Sequence, residues 1–113
     1  MKKIAVIEEI HKDGLNLLDK NPNYEYEIIT NVSEKNLITK LPRFDACTLR
    51  VSKLDENILK YCPNLKVISR HGVGYDNVDL NYIKKNNIFL LITATANAVA
   101  VAEHVLSMFL TLS

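Results

Sequence analysis

The sequence predicts an α/β fold built on a parallel sheet, and three observations lead there. Short, near-continuous apolar runs such as Ile4-Ala5-Val6-Ile7 lack the alternation of a half-solvated strand and read as strands covered on both faces. Between them lie amphipathic stretches of about ten residues, each long enough for one crossover helix. After the fourth run the backbone opens into Gly72-Val73-Gly74, and a glycine loop at the end of a strand is where ligands sit in such sheets.

The elements follow in order. Residues 4–7 form the first strand, ended by Glu8 and Glu9. Leu15, Leu17 and Leu18, just after Gly14, give the apolar side of a short helix that Asn21-Pro22-Asn23 stops. Residues 24–30 alternate and are β-rich, which suits an edge strand. Ser33 caps a helix carrying Leu37, Ile38 and Leu41 and closed by Pro42. Residues 45–51 are the third strand, with Arg50 at its carboxyl end and Cys47 as a small buried apolar side chain. Leu54, Ile58 and Leu59 mark the next helix face, ended by Cys62-Pro63-Asn64. Residues 66–69 are the fourth strand. Asp79 caps a helix over residues 80–85, whose Lys84 and Lys85 suit the negative end of its dipole. Asn86-Asn87 turns the chain into a fifth strand, residues 88–93. The expected topology is a flavodoxin-like five-stranded parallel sheet of order 2-1-3-4-5 with helices on both faces.

A long apolar helix closes the sequence, from about residue 97 to 112. Its polar side chains, Glu103, Ser107 and Thr111, recur every four residues with His104 beside them, and the rest is apolar. A helix with so narrow a polar stripe needs cover on most sides. It is too short and too polar at Glu103 and His104 for a membrane span. It is therefore expected to bury itself in a partner or to lead into a longer chain.

Bulk properties exclude several classes. With 113 residues, 48% apolar, 24% charged and a net charge of +1, the chain reads as one ordinary globular unit without the field that draws nucleic acid or an anionic membrane. Two cysteines make no disulfide framework, and the three histidines are scattered without metal-ligand spacing. The first residues are too short for a signal peptide, so a cytoplasmic location is the simplest expectation.

Gly72 and Gly74 fit two readings, a structural turn or a backbone anion site whose exposed N–H groups suit carboxylate or phosphate. A dinucleotide fingerprint fits poorly, because Asn77 stands at the third glycine position and no glycines follow the first strand. Arg50 at a strand end is able to fork onto an anion, and Arg70 and His71 flank the loop. By strand period Ser69 and Arg70 point to opposite faces, so these residues do not all meet one ligand. Glu103 and His104, being adjacent on a helix, do not face each other as an acid–base pair.

The stretch Leu65-Lys66-Val67-Ile68-Ser69-Arg70-His71-Gly72-Val73-Gly74-Tyr75-Asp76-Asn77-Val78-Asp79-Leu80 resembles the signature of the D-isomer-specific 2-hydroxyacid dehydrogenases, above all their D-3-phosphoglycerate-dehydrogenase-like branch. Ala96-Asn97-Ala98-Val99-Ala100-Val101-Ala102-Glu103-His104 resembles the segment in which that family crosses into its cofactor domain. Arg50, leading into Val51-Ser52-Lys53-Leu54, resembles the arginine after its third strand. The match is collinear over nearly the whole chain, although Ile92-Thr93-Ala94-Thr95 stands where the family usually has Asn-Thr-Pro-Gly.

The resemblance implies a flavodoxin-like substrate-binding domain over residues 1–96, incomplete relative to the family, and an interdomain or dimerisation helix over residues 97–113 that leads to a Rossmann NAD domain. It implies that the main chain of Val73 and Gly74 holds a substrate carboxylate, that Asn97 lies at the cleft, and that Arg50 meets a substrate phosphate or carboxylate. Val73, Ala98 and Val101 would lie near the NAD cofactor. The family's catalytic arginine, glutamate and histidine belong to segments after the crossing helix, so no catalytic residue is assigned here. The expected function is the substrate part of an NAD-dependent oxidoreductase acting on the CH–OH group of a D-2-hydroxy acid, inactive by itself. Expected partners are a small 2-hydroxy or 2-oxo acid and either the Rossmann half or a second copy, as a homodimer through the 97–112 helix; neither nucleic acid nor membrane is expected. The alternative is a stand-alone flavodoxin-like module that binds a small acid or a protein and dimerises through its last helix. A third possibility is a structural dimer without a ligand.

Overall fold

Five parallel strands carry the apolar runs, as expected. The computed structural model describes residues 2–8, 12–50, 52–71, 78–93, 103 and 105–107. In it β1 (Lys2–Ile7), β2 (Tyr24–Ile29), β3 (Ala46–Leu49), β4 (Val67–His71) and β5 (Phe89–Thr93) form one sheet of order β2-β1-β3-β4-β5. All four pairings are parallel. The alternating strand β2 is an edge, and its solvent side carries Glu25 and Glu27, the latter paired with Lys40 and Arg43 at 3.3 and 2.8 Å. Such exposed pairs add little stability, but charge on an edge strand discourages pairing with other chains.

Strand period sorts the core onto two faces. Ala5, Ile7, Cys47, Leu49 and Ile68 meet Leu37 of α2 (Glu34–Lys40), Ile58 and Leu59 of α3 (Glu56–Leu59) and Ile83 of α4 (Leu80–Lys85). Ile4, Val6, Ala46 and Val67 meet Leu18 of α1 (Lys12–Asp19) on the opposite face, together with Val105. Helices thus cover both faces. Each fully buried Leu or Ile contributes about 1.5–3 kcal/mol of transfer free energy, and the central strands are built mostly from such side chains, with Thr48, Ser69 and Arg70 as their buried polar members. Of the last helix, residues 103 and 105–107 are described, all helical, with Val105 buried against the sheet; the remainder of the expected 97–112 span lies outside the described residues.

The caps explain where helices start. Ser33 accepts the N–H of Asn36 at 3.3 Å, and Asp79 accepts that of Tyr82 at 3.1 Å, so both expected caps hold. Pro42 does not end α2 abruptly. It sits in a 3-10 turn, Leu41–Arg43, at a first-turn position where its missing N–H costs nothing. Leu54 is not part of α3, contrary to expectation. Asp55 is the cap, extended at φ −103° and accepting the N–H of Asn57, so the helix cannot begin before it. Leu54 instead forms a parallel bridge with Val78. The first helix, which carries the expected apolar side at Leu15, Leu17 and Leu18, begins two residues before Gly14. Strand β4 runs on to His71 because its register with β5 continues through Arg70↔Ile92 and His71↔Thr93.

One polar group in the sheet is unsatisfied. Among the described residues, Thr48 Oγ1 is buried with no hydrogen-bond partner. Thr48→Val keeps the β-branched shape and removes that hydroxyl, and should raise stability by about 1 kcal/mol. A denaturation midpoint at or below that of the unaltered chain would contradict this account.

Candidate functional site

Because all strands are parallel, their carboxyl ends share one edge, and the order places a switch point between β1 and β3, where the crossovers part in opposite directions. In open sheets of this kind ligands bind outside the strand ends at such a point. Glu8 leaves β1, Arg50 and Ser52 leave β3, and Arg70 and His71 end β4.

Hydrogen bonds join these exits. The N–H of Glu8 donates to the Ile29 carbonyl at 2.9 Å, closing the β1–β2 ladder. Glu8 itself has φ 68°, uncommon for a residue with a side chain. Its Oε1 accepts the backbone N–H of Arg50 at 3.2 Å and of Ser52 at 3.1 Å. Farther along, the Leu54–Val78 bridge ties the segment leaving β3 to the segment entering α4, and the N–H of Asp79 donates to the Leu54 carbonyl at 3.1 Å. The turn carrying Arg50 is therefore held on one side by the end of β1 and on the other by the far end of the glycine stretch.

The residues singled out from sequence fare differently. Arg50 is exposed, one position past β3. Val73 and Gly74 fall between His71 and Val78 and lie outside the described residues, as do Asn97, Ala98 and Val101. Ser69 is fully buried and pairs with Thr48, whereas Arg70, 8% exposed, pairs with Leu49 on the α2–α3–α4 face. The two point to opposite faces, as strand period requires, and Arg70 belongs to the interior more than to the strand-end edge. A small cleft of ≈ 190 Å³ lies beside the Arg50 turn, lined by Val32, Glu34, Ser52, Lys53, Asp55 and Ile58. Lys53 sits 3.7 Å from Asp55 at its rim.

Glu8 is the residue sequence reasoning did not single out. It read as the end of a strand. The signal was present, since a carboxylate directly after a buried first strand stands at the switch point whenever the order is 2-1-3-4-5. Glu103 is exposed, while His104 lies outside the described residues.

Other chemistries find little support at this edge. Burial pushes the Cys62 thiol up to about 11 and the Cys47 thiol higher still, with Cys62 adding to the latter, so both stay protonated and poorly nucleophilic at neutral pH. Among the described residues no three His, Cys, Asp or Glu side chains cluster as metal ligands. No described helix is long and apolar enough to cross a membrane.

Comparison with known proteins gives consistent matches. The family model described as D-isomer specific 2-hydroxyacid dehydrogenase, catalytic domain, matches residues 4–112. The D-3-phosphoglycerate dehydrogenase of Archaeoglobus fulgidus is 32% identical over 109 residues, 96% of this chain and 20% of the relative. The hydroxypyruvate reductase of Thermotoga maritima is 31% identical over 110 residues, 96% of this chain and 35% of the relative. Among solved structures, the NAD+-bound 3-phosphoglycerate dehydrogenase of Entamoeba histolytica superposes with a TM-score of 0.73 at 27% identity, over 81% of this chain and 32% of that one. The chain thus spans a fifth to about a third of the length of these relatives.

Proposed function

Because this chain belongs to the D-isomer-specific 2-hydroxyacid dehydrogenase family, whose catalytic-domain model it matches over residues 4–112, we propose that it supplies the substrate-binding part of an NAD-dependent oxidoreductase. The reaction class interconverts a D-2-hydroxy acid and its 2-oxo acid, with NAD as the hydride carrier. The D-3-phosphoglycerate dehydrogenases among the relatives favour 3-phosphoglycerate as the substrate type. In this reading residues 1–96 bind the acid, and the helix over residues 97–113 leads towards a Rossmann half or a second copy of the chain.

This chain's own contribution is anion recognition. Arg50 offers a charged fork to the phosphate or carboxylate, and the main chain of Val73 and Gly74 offers N–H groups to the carboxylate. The observation that carries the reading is the Leu54–Val78 bridge, which brings the Arg50 turn and the end of the glycine stretch side by side at the carboxyl edge of the sheet. The described residues do not fit a dinucleotide. The turn after β1, where a pyrophosphate would rest on a glycine-rich helix start, carries the Glu8 carboxylate instead. NAD therefore belongs to the other half of the enzyme in this proposal, and the 113 residues alone should not turn over.

Titrating the 15N-labelled chain with 3-phosphoglycerate tests this. Shifts should concentrate at Arg50, Ser52 and residues 72–79, with no NADH formed when NAD is added. Shifts elsewhere, or none, would sink the site, and measurable turnover would sink the division of labour. Sedimentation of the same sample reads the dimer expected through the last helix, and a clean monomer at high concentration would remove that part.

A further inference from the structure

We propose that Glu8 is a positioning residue whose carboxylate, reaching across the β1/β3 switch point, fixes the turn from which Arg50 meets an anionic ligand. The ligand half of this statement rests on the function proposed above; the structural half does not.

Three features converge on Glu8. First, its backbone has φ 68°, a region that glycine enters freely and a residue with a Cβ does not. Such a conformation costs on the order of 1–3 kcal/mol and persists where the surroundings fix it; Asn87, at φ 56°, is the other such residue among those described. Second, one carboxylate oxygen gathers two backbone donors, Arg50 N–H at 3.2 Å and Ser52 N–H at 3.1 Å, from 42 and 44 residues farther along the chain. Charge-assisted bonds of this kind are roughly twice as strong as neutral ones. Third, the segment so held runs on to Leu54, which bridges to Val78 at the entrance of α4. The held segment is therefore continuous with the one that pairs with Val78.

The arrangement has a consequence for recognition. Two backbone N–H groups converging at a switch point form a ready anion seat. Here the protein fills that seat with its own carboxylate. An incoming phosphate or carboxylate finds those donors taken and a negative charge behind them. It is directed outward, to the Arg50 side chain, whose backbone is held by the clamp.

Glu8→Gly and Glu8→Gln separate this role from a structural one. Glycine accepts the φ without penalty, so the fold survives, but the acceptor is gone; glutamine keeps an acceptor oxygen. In Glu8→Gly, amide hydrogen exchange at Arg50 and Ser52 should accelerate about tenfold or more, and affinity for 3-phosphoglycerate should fall about tenfold, the scale of one lost charged hydrogen bond. Glu8→Gln should recover most of both, and added formate should slow exchange in Glu8→Gly by refilling the seat. Unchanged exchange at both amides in folded Glu8→Gly overturns the proposal. Faster exchange with undiminished 3-phosphoglycerate affinity overturns it too, since the clamp would then hold nothing that the ligand uses. If the unaltered chain shows slow exchange at these amides yet ignores 3-phosphoglycerate, the substrate reading fails and the clamp stands.

Discussion

Arg50→Ala should weaken binding of 3-phosphoglycerate by about tenfold to a hundredfold while shifting the unfolding transition little, as exposed substitutions do. The side chain is exposed, one residue past β3, so its removal opens no cavity. Its backbone N–H still donates to Glu8, so the turn keeps its shape. In the proposed site the variant removes the guanidinium offered to the anion, and hydrogen bonds to charged groups are worth about 1.5–3 kcal/mol, which is the fold-change given. Arg50→Lys should fall between the two, because lysine keeps the charge and loses the planar fork. Isothermal titration at low and moderate salt reads both variants. Equal affinity for Arg50→Ala and the unaltered chain would mean that this arginine does not meet the ligand.

Ile68→Ala should cost about 3–4 kcal/mol of stability, within the range for a large aliphatic side chain cut back in a core. Ile68 is fully buried on β4, between β3 and β5, and faces the cluster that includes Ile58, Leu59 and Ile83. The void has no rim of solvent into which neighbours can relax. Against a total of about 5–15 kcal/mol for a typical domain, this is a large share, and the variant should unfold at much lower denaturant. Phe89→Ala, on the same sheet but 46% exposed, is the control and should lose far less. Comparable losses at the two positions in chemical denaturation would show that the core is not organised around β4.

The strands were legible because burial on both faces leaves a short apolar, β-branched run bounded by turn residues. Residues 4–7 lie within β1, residues 45–51 and 88–93 each contain a strand, and the flavodoxin-like order 2-1-3-4-5 expected for the βαβ alternation is the one found. The caps at Ser33 and Asp79 were legible for the same reason, as local chemistry acting over three residues. What escaped was non-local. Leu54 looked helical by spacing with Ile58, but its bridge to Val78 depends on a segment 24 positions away. The length of β4 depended on a partner in β5. Glu8 looked like punctuation because its bonds go to Arg50 and Ser52, which only the folded sheet brings near. Of the candidate site, the position of Arg50 was readable from its place at a strand end, and the clamp behind it was not.

The interior position of β1 also sets the order in which the molecule can assemble. Its first seam, with β2, joins segments near in sequence, but its second, with β3, closes a much longer loop. Lys3 and Asp45, 42 residues apart, exchange two hydrogen bonds at the mouth of that seam, the Lys3 N–H to Asp45 Oδ2 and the Asp45 N–H to the Lys3 carbonyl, each at 2.8 Å. Entropy must be lost in closing that loop before the packing of Ile4 and Val6 against Ala46 is gained. On the ribosome, β1 emerges before β3 and waits with that edge open until β3 follows. Lys2 and Lys3, at the head of this apolar strand, place charge beside the segment most exposed to mispairing during the wait, the role of gatekeeper residues in newly made chains.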